Sequence, residues 1–140
     1  MKLSNHLFRI LDQYKIALAQ HFRVQQLSLS PLHYKVLQLI HAHDPATPQL
    51  IAQQSGRDKA QVTRLLQEME KQGLIEKQPH PTDKRSVCLA LTPLACDRVS
   101  QAEQLAASLD EQLCALLEPA EVQQLQQLLC KIEKGLGSTG

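Results

Sequence analysis

From Asp58 the chain reads Lys59-Ala60-Gln61-Val62-Thr63-Arg64-Leu65-Leu66-Gln67-Glu68-Met69. Wound as a helix, this stretch puts Val62, Leu65, Leu66 and Met69 on one side. Lys59, Gln61, Thr63, Arg64 and Gln67 are left on or near the other. Gln pairs bidentately with adenine, Arg pairs with guanine, and a Thr methyl packs on a thymine methyl. The residue types that read base edges are thus gathered within the first turns of one helix. Asp58, just ahead of it, is expected to cap the free N–H groups and to suit the helix dipole rather than to touch DNA. Arg57 and the helix start at Thr47-Pro48-Gln49 suit the phosphate backbone, since free helix N–H groups attract anions. A second basic patch stands at Pro81-Thr82-Asp83-Lys84-Arg85. Lys84 neutralises phosphate but lacks the planar fork of arginine. Arg85 suits a narrow A·T minor groove, which concentrates negative potential. Asp83 opposes DNA and is expected to hold this tip by pairing with a basic side chain, Arg85 or Arg57.

Net charge hides an asymmetry. The whole chain is only +1, yet residues 1–85 hold 12 Lys/Arg against 7 Asp/Glu and residues 86–140 hold 3 against 7. A basic front half and an acidic rear fit a polyanion-binding protein. Other chemistries lack their signatures. There is no Gly-rich phosphate loop, no G-x-S-x-G elbow and no metal-ligand cluster, so neither an enzyme nor a resident cofactor is expected. The four cysteines, Cys88, Cys96, Cys114 and Cys130, form no C-x-x-C pair, and free thiols are the reading for a reducing compartment. Cys96, at the start of a helix, is the first candidate for redox chemistry and Cys88 the second. His41-x-His43 places two imidazoles on diverging sides of a helix end, so no metal site is assigned. The N-terminus carries Lys2, Asn5, His6, Arg9 and Asp12 where a secretion signal needs an apolar run, and no transmembrane stretch occurs. A cytoplasmic protein is expected.

The elements that must position these groups follow from periodicity and punctuation. Apolar residues are 43 % of the chain but aromatics only 3 %, with no Trp, so the core is aliphatic and favours helices. Leu7, Ile10, Leu11, Tyr14, Ala17, Leu18, His21 and Phe22 form the stripe of a first amphipathic helix. Ser30-Pro31 opens a second helix, ended by His43-Asp44-Pro45; Thr47-Pro48 opens a short third, ended by Ser55-Gly56. The helix from Asp58 follows at once and ends at Gly73, a C′ position. Leu74–Lys77 and Ser86–Leu91 read as two short strands around the Pro/Asp/basic tip. Thr92-Pro93 then opens a long helix with Val99, Ala102, Leu105, Ala106, Leu109, Leu113 and Leu116 on one face. After Glu118-Pro119 a last helix carries Val122, Leu125, Leu128, Leu129 and Ile132 up to Gly135, and Gly137-Ser138-Thr139-Gly140 reads as a disordered tail. The result is a mainly α fold, α+β by its hairpin: four helices, the hairpin, two helices. A tight Gly turn between helices followed by a hairpin is a winged helix-turn-helix. The terminal stripes exceed what one small domain can bury, which points to a second copy of the chain; an intramolecular bundle is the alternative.

Asp58–Leu66, the Lys71-Gln72-Gly73 turn with Leu74-Ile75, the tip Pro81–Arg85 and the run Leu89-Ala90-Leu91-Thr92-Pro93 together resemble the MarR family of regulators. The resemblance is strongest over 29–95, and the helix order extends it to nearly the whole chain. It implies one MarR-type domain over 1–140, with a DNA-binding lobe at 29–92 and dimerisation helices at 1–25 and 93–136. It implies a homodimer docking in successive major grooves of a pseudo-palindromic operator. It further implies a repressor released by a small molecule of phenolic type or by oxidation. The effector pocket of the family lies between lobe and dimer helices, where Ile10, Tyr14, His33 and Leu37 are the candidate lining, with His33 the polar handle. A structural role for His33 remains open. No cysteine stands in the first helix and no histidine between Thr92 and Leu117. The peroxide-sensing and zinc-sensing arrangements of the family are therefore missing. A winged-helix module that binds proteins instead of DNA is the remaining rival.

Overall fold

In the computed structural model, which describes residues 1–138, the order is α1 (Leu3–Val24), α2 (Pro31–Ala42), α3 (Pro48–Ser55), α4 (Lys59–Lys71), β1 (Ile75–Pro79), β2 (Val87–Leu91), α5 (Pro93–Cys114) and α6 (Pro119–Gly137). The expected order of four helices, hairpin and two helices is what the chain adopts. Two compact units result, Met1–Leu105 and a second from Ala106 onward, with α5 running through the boundary.

Side-chain caps set the starts of α2 and α3. Ser30 Oγ accepts from the His33 amide at 3.0 Å and Thr47 Oγ1 from the Leu50 amide at 3.1 Å, each just ahead of a proline at the first helical position. Proline there costs nothing, because its missing N–H would have no partner in the helix. Gly56 ends α3 at φ +67°. No atom lies within 4 Å of the position a Cβ would take, so backbone conformation, and not space, requires glycine.

β1 and β2 pair antiparallel from Ile75↔Leu91 to Pro79↔Val87. Their connection, residues 80–86, is the wing tip. The first strand was expected over Leu74–Lys77 but runs on to Pro79. Proline is tolerated because it occupies the last rung, where a lost donor breaks no interior ladder. The outer edge of β2 is also used: the Leu89 amide donates to the Ala46 carbonyl at 2.8 Å, tying the α2–α3 connection to the wing.

The core of the first unit is aliphatic. Phe22, Val36, Leu37, Ile51, Val62, Met69, Leu74 and Ile75 are the largest fully buried side chains. Phe22 meets Tyr34 edge to face at 5.8 Å between ring centroids, the favoured geometry for two ring quadrupoles. Of the stripe expected on α1, only its C-terminal part is buried, at Leu18 and Phe22. Leu3, Leu7, Phe8, Ile10, Leu11 and Ile16 remain exposed.

Thr92 joins four elements. Its Oγ1 donates to the Gly73 carbonyl at 2.6 Å, with the Leu74 carbonyl at 3.3 Å, and accepts from the Ala95 amide at 3.1 Å, capping α5. The Thr92 amide itself donates to the Leu74 carbonyl at 3.2 Å.

In the second unit α6 contains no buried residue, and Leu125, Leu128, Leu129 and Leu136 stand in the open. Three expectations need correction here. Leu116 does not belong to the face of α5: the helix ends at Cys114, and Leu116 is 79 % exposed. α6 does not stop at Gly135 but continues to Gly137, with Ser138 Oγ donating to the Gly135 carbonyl at 3.0 Å. An exposed glycine without a positive φ weakens a helix without ending it. Of the tail read as disordered, Gly137 and Ser138 are therefore ordered, while Thr139 and Gly140 lie outside the described residues.

Candidate nucleic-acid interface

α4 is fixed from both sides. Val62, Leu65, Leu66 and Met69 are buried, as the periodicity requires. At its start Asp58 Oδ1 accepts from the Gln61 amide at 2.8 Å, and Gln61 Oε1 accepts from the Asp58 amide at 3.2 Å. This reciprocal capping box satisfies two of the free donors and gives Gln61 a second employment beside the base reading expected of it. The capping box uses its carboxamide oxygen and does not use the nitrogen. Thr63 likewise donates its hydroxyl to the Lys59 carbonyl at 2.8 Å, so its hydroxyl is already engaged within the helix. Lys59, Gln61, Thr63, Arg64 and Gln67 are all exposed, and so is Arg57 in the turn before them. An open hollow of about 420 Å³ separates α3 from α4, lined by Pro48, Gln49, Ala52, Lys59, Val62 and Thr63.

The wing tip is organised around two acceptors. Asp83 Oδ1 accepts from the Arg85 amide at 2.9 Å and Oδ2 from the Ser86 hydroxyl at 3.1 Å. These bonds, the Arg85 amide first, hold the Asp83 carboxyl below its ordinary value, because hydrogen bonds to the charged form favour it. The expected pairing of Asp83 with the side chain of Arg85 or Arg57 is thus replaced by pairing with the Arg85 backbone. A two-residue spacing suits the main chain better than a long guanidinium, whose ordering costs entropy in water. Lys84 and Arg85 keep exposed side chains. The sequence reading missed the second acceptor, His80, whose Nδ1 lies 2.9 Å from the Asp83 amide and 3.2 Å from the Thr82 amide. Its signal was the spacing: a short acceptor two and three residues ahead of free amides is the arrangement Asn and Asp use in turns.

The four residues proposed to line an effector pocket have mixed surroundings. Leu37 is fully buried, Tyr14 and His33 are half-buried, and Ile10 is 57 % exposed. Tyr14 also lies near Tyr34, whose hydroxyl pKa is pushed up by burial first, then by the Glu103 carboxylate and by Tyr14. Among the described residues no group of His, Cys, Asp and Glu is placed to hold a metal ion, and His43 instead engages the Leu39 carbonyl through Nδ1 at 2.8 Å. All four cysteines are free; Cys88 is buried and Cys96 exposed. No described helix is long and apolar enough to cross a membrane.

Comparison with known proteins gives the same picture. The MarR family model matches residues 29–87, from two residues before α2 to the first residue of β2. A Thauera aromatica protein inferred to regulate transcription of the hcr operon is 28 % identical over 93 residues, a match that spans 66 % of this chain and 56 % of that relative. The fold is similar to that of apo MarR from E. coli, with a TM-score of 0.82 at 26 % identity, covering 94 % of this chain and 97 % of that one. It is equally similar to a MarR variant from E. coli complexed with operator DNA, with a TM-score of 0.81 at 27 % identity over 93 % and 92 % of the two chains. MepR of S. aureus, in a DNA complex, shares the fold at 22 % identity, with a TM-score of 0.82 over 96 % and 98 %. The helix-turn-helix and the first part of the wing, residues 29–87, thus carry a MarR-family domain, and the fold along nearly the whole length is similar to that of MarR.

Proposed function

We propose that this chain is a sequence-specific double-stranded DNA-binding transcriptional regulator that acts as a homodimer and catalyses no reaction. The observation that carries this reading is the split of α4: four apolar side chains buried, and five polar or basic ones, all of types that read bases or phosphates, exposed on its first turns. A MarR relative at 27 % identity has been solved with its operator DNA. In this reading Gln61, Thr63, Arg64 and Gln67 face base edges in the major groove, Arg57, Lys59 and Lys84 face phosphates, and Arg85 enters the minor groove. The lobe at 29–92 does the reading; residues 1–25 and 93–136 hold two copies together over a pseudo-palindromic operator. The exposed leucines of α1 and α6 support that pairing, since apolar strips of this extent mark interaction surfaces.

Regulation is proposed to be repression relieved by a small apolar molecule with a phenolic or similar acid group, held near Ile10, Tyr14, His33 and Leu37. Redox sensing is the second reading. Exposure favours Cys96 over the buried Cys88 as the thiol an oxidant would reach. Selection of bound duplexes from a random pool by the purified protein tests the primary reading. The expected result is a two-half-site motif with centres about one helical turn apart. Failure to enrich any sequence, with no salt-dependent shift of sheared genomic DNA, refutes it. Adding salicylate or dilute peroxide to the same assay separates the two forms of regulation.

A further inference from the structure

The loop 80–86 has an unusual hydrogen-bond economy. It must present Lys84 and Arg85 outward while its own amides find acceptors. The amides of Thr82 and Asp83 converge on one atom, Nδ1 of His80, at 3.2 and 2.9 Å, with the Thr82 hydroxyl at 3.4 Å. Asp83, so placed, then takes the Arg85 amide on Oδ1 and the Ser86 hydroxyl on Oδ2, and the Ser86 amide donates to the Asp83 carbonyl at 3.2 Å. The bonds form a chain from ring to carboxylate to the backbone of the basic residue. His80 places Asp83, and Asp83 places Arg85.

Two N–H groups aimed at one ring nitrogen require that nitrogen to offer its lone pair. The ring must therefore be neutral, with its proton on Nε2. A proton on Nδ1 would set a third N–H against the other two, and the first link of the chain would open. The charged side chains of the wing are Glu76 and Lys77 on β1 and Asp83, Lys84 and Arg85 in the loop. Of these the Asp83 carboxylate interacts electrostatically with the ring. It attracts the imidazolium, so a protonated His80 has an alternative arrangement: the ring turned toward the carboxylate in place of the amides.

We propose that His80 is the positioning residue of the wing, and that its neutral ring, by holding the Thr82 and Asp83 amides, makes DNA binding depend on pH through the order of the tip. Histidine is the side chain that serves as a proton switch near physiological pH, and a proton placed on Nδ1 releases the two amides that this nitrogen holds. The inference rests on the DNA-binding reading above. Protonation also adds a positive charge near phosphate, which by itself tightens binding to any duplex. Loss of order and gain of charge thus act in opposite directions, and the first is expected to show on a selected duplex more than on random DNA.

Three proteins decide the matter: wild type, His80→Asn and His80→Ala, each titrated with a duplex enriched by the wild type and with sheared genomic DNA at pH 7.5 and 5.5. The carboxamide oxygen of Asn sits one bond beyond Cγ, as Nδ1 does, and accepts at every pH. At pH 7.5 Asn is expected to match wild type, and Ala to bind the selected duplex about three- to tenfold more weakly, the effect of losing one to two hydrogen bonds. At pH 5.5 the preference of wild type for the selected duplex should fall toward that of Ala, while Asn keeps its own. In the free protein, the Thr82 and Asp83 amide resonances should move with His80 ring titration in the wild type and stay still in Asn. Equal binding by Ala and wild type at pH 7.5, failure of Asn to rescue, or one shared pH profile for wild type and Asn overturns the proposal. If wild type binds no DNA at all, the reading of the preceding subsection falls. The hold by His80 is then judged on the amide resonances alone, and resonances that ignore the ring overturn it.

Discussion

Replacing Thr92 by Val removes one oxygen from the place where α4, both wing strands and α5 meet. The shape of the side chain is nearly kept, so the change reports on hydrogen bonding. Two groups lose a partner: the Gly73 carbonyl, bonded at 2.6 Å, and the Ala95 amide, bonded at 3.1 Å. Loss of a threonine N-cap costs about 1 kcal/mol, and a half-buried carbonyl left without its donor costs about another 1 kcal/mol. The backbone bond from the Thr92 amide to the Leu74 carbonyl survives, so the loss should stop near a total of about 2 kcal/mol. For a chain of this size, that lowers the melting temperature by about 6 °C. Thr92→Ser, which keeps the hydroxyl and loses a methyl group, should recover more than half of the difference. Thermal unfolding followed by circular dichroism at one fixed protein concentration is the assay, because the melting point of an oligomer moves with concentration. A drop smaller than about 2 °C for Val, or a Ser variant as weak as Val, would show that the hydroxyl joins nothing of consequence.

Other outcomes follow from the interface and the exposed helices. Arg64→Ala is expected to cost about 1–3 kcal/mol on a selected duplex and to relax choice at one base position, whereas Lys84→Ala should weaken all duplexes alike and flatten the salt slope by about one; equal losses for Arg64→Ala on selected and random DNA would reject base reading by Arg64. The Asp83 carboxyl titrates below its ordinary 3.8 when the tip is formed, so its contribution is full above that value and disappears as pH falls through the lower folded one. In a His80→Asn background, protection of the Arg85 amide from exchange should therefore stay constant above about pH 5 and vanish in strong acid, and Asp83→Ala should abolish it throughout. If two copies pair as proposed, changing Leu125 and Leu128 to Glu should move the sedimenting species from dimer to monomer at micromolar concentration and cost the DNA shift; an unaltered dimer would remove α6 from the interface.

The helices and the order of elements were readable because strong local rules agreed with the apolar periodicity. Ser30, Thr47 and Asp58 each stand one position ahead of a helix and cap it, and Gly56 and Gly73 take positive φ where a turn needs it. The buried face of α4 was fully visible for the same reason. What was not visible depended on distance or on choice among neighbours. Thr92 could be read as a cap for α5, but its bond to Gly73, nineteen positions earlier, leaves no periodic trace. Asp83 had a backbone amide and several cations within reach, and only the conformation of the tip decides for the amide. The outward position of Gln61 was legible, while its role in the capping box was not: one spacing from Asp58 serves both. The stripe of α1 was correctly seen as amphipathic, yet periodicity does not say whether a stripe is covered by its own chain, and its N-terminal part is not.

A helix with no buried residue has a consequence for the life of the protein in the cell. Left uncovered, the leucines of α6 form the kind of surface that chaperones hold and proteases enter. In the dimeric reading, a chain made at low abundance spends much of its time in that vulnerable form and is removed, whereas above the dimerisation threshold each copy shields another. The level of the protein would then respond to synthesis more steeply than in proportion, and a modest change in transcription of its own gene would be enough to clear it or to establish it.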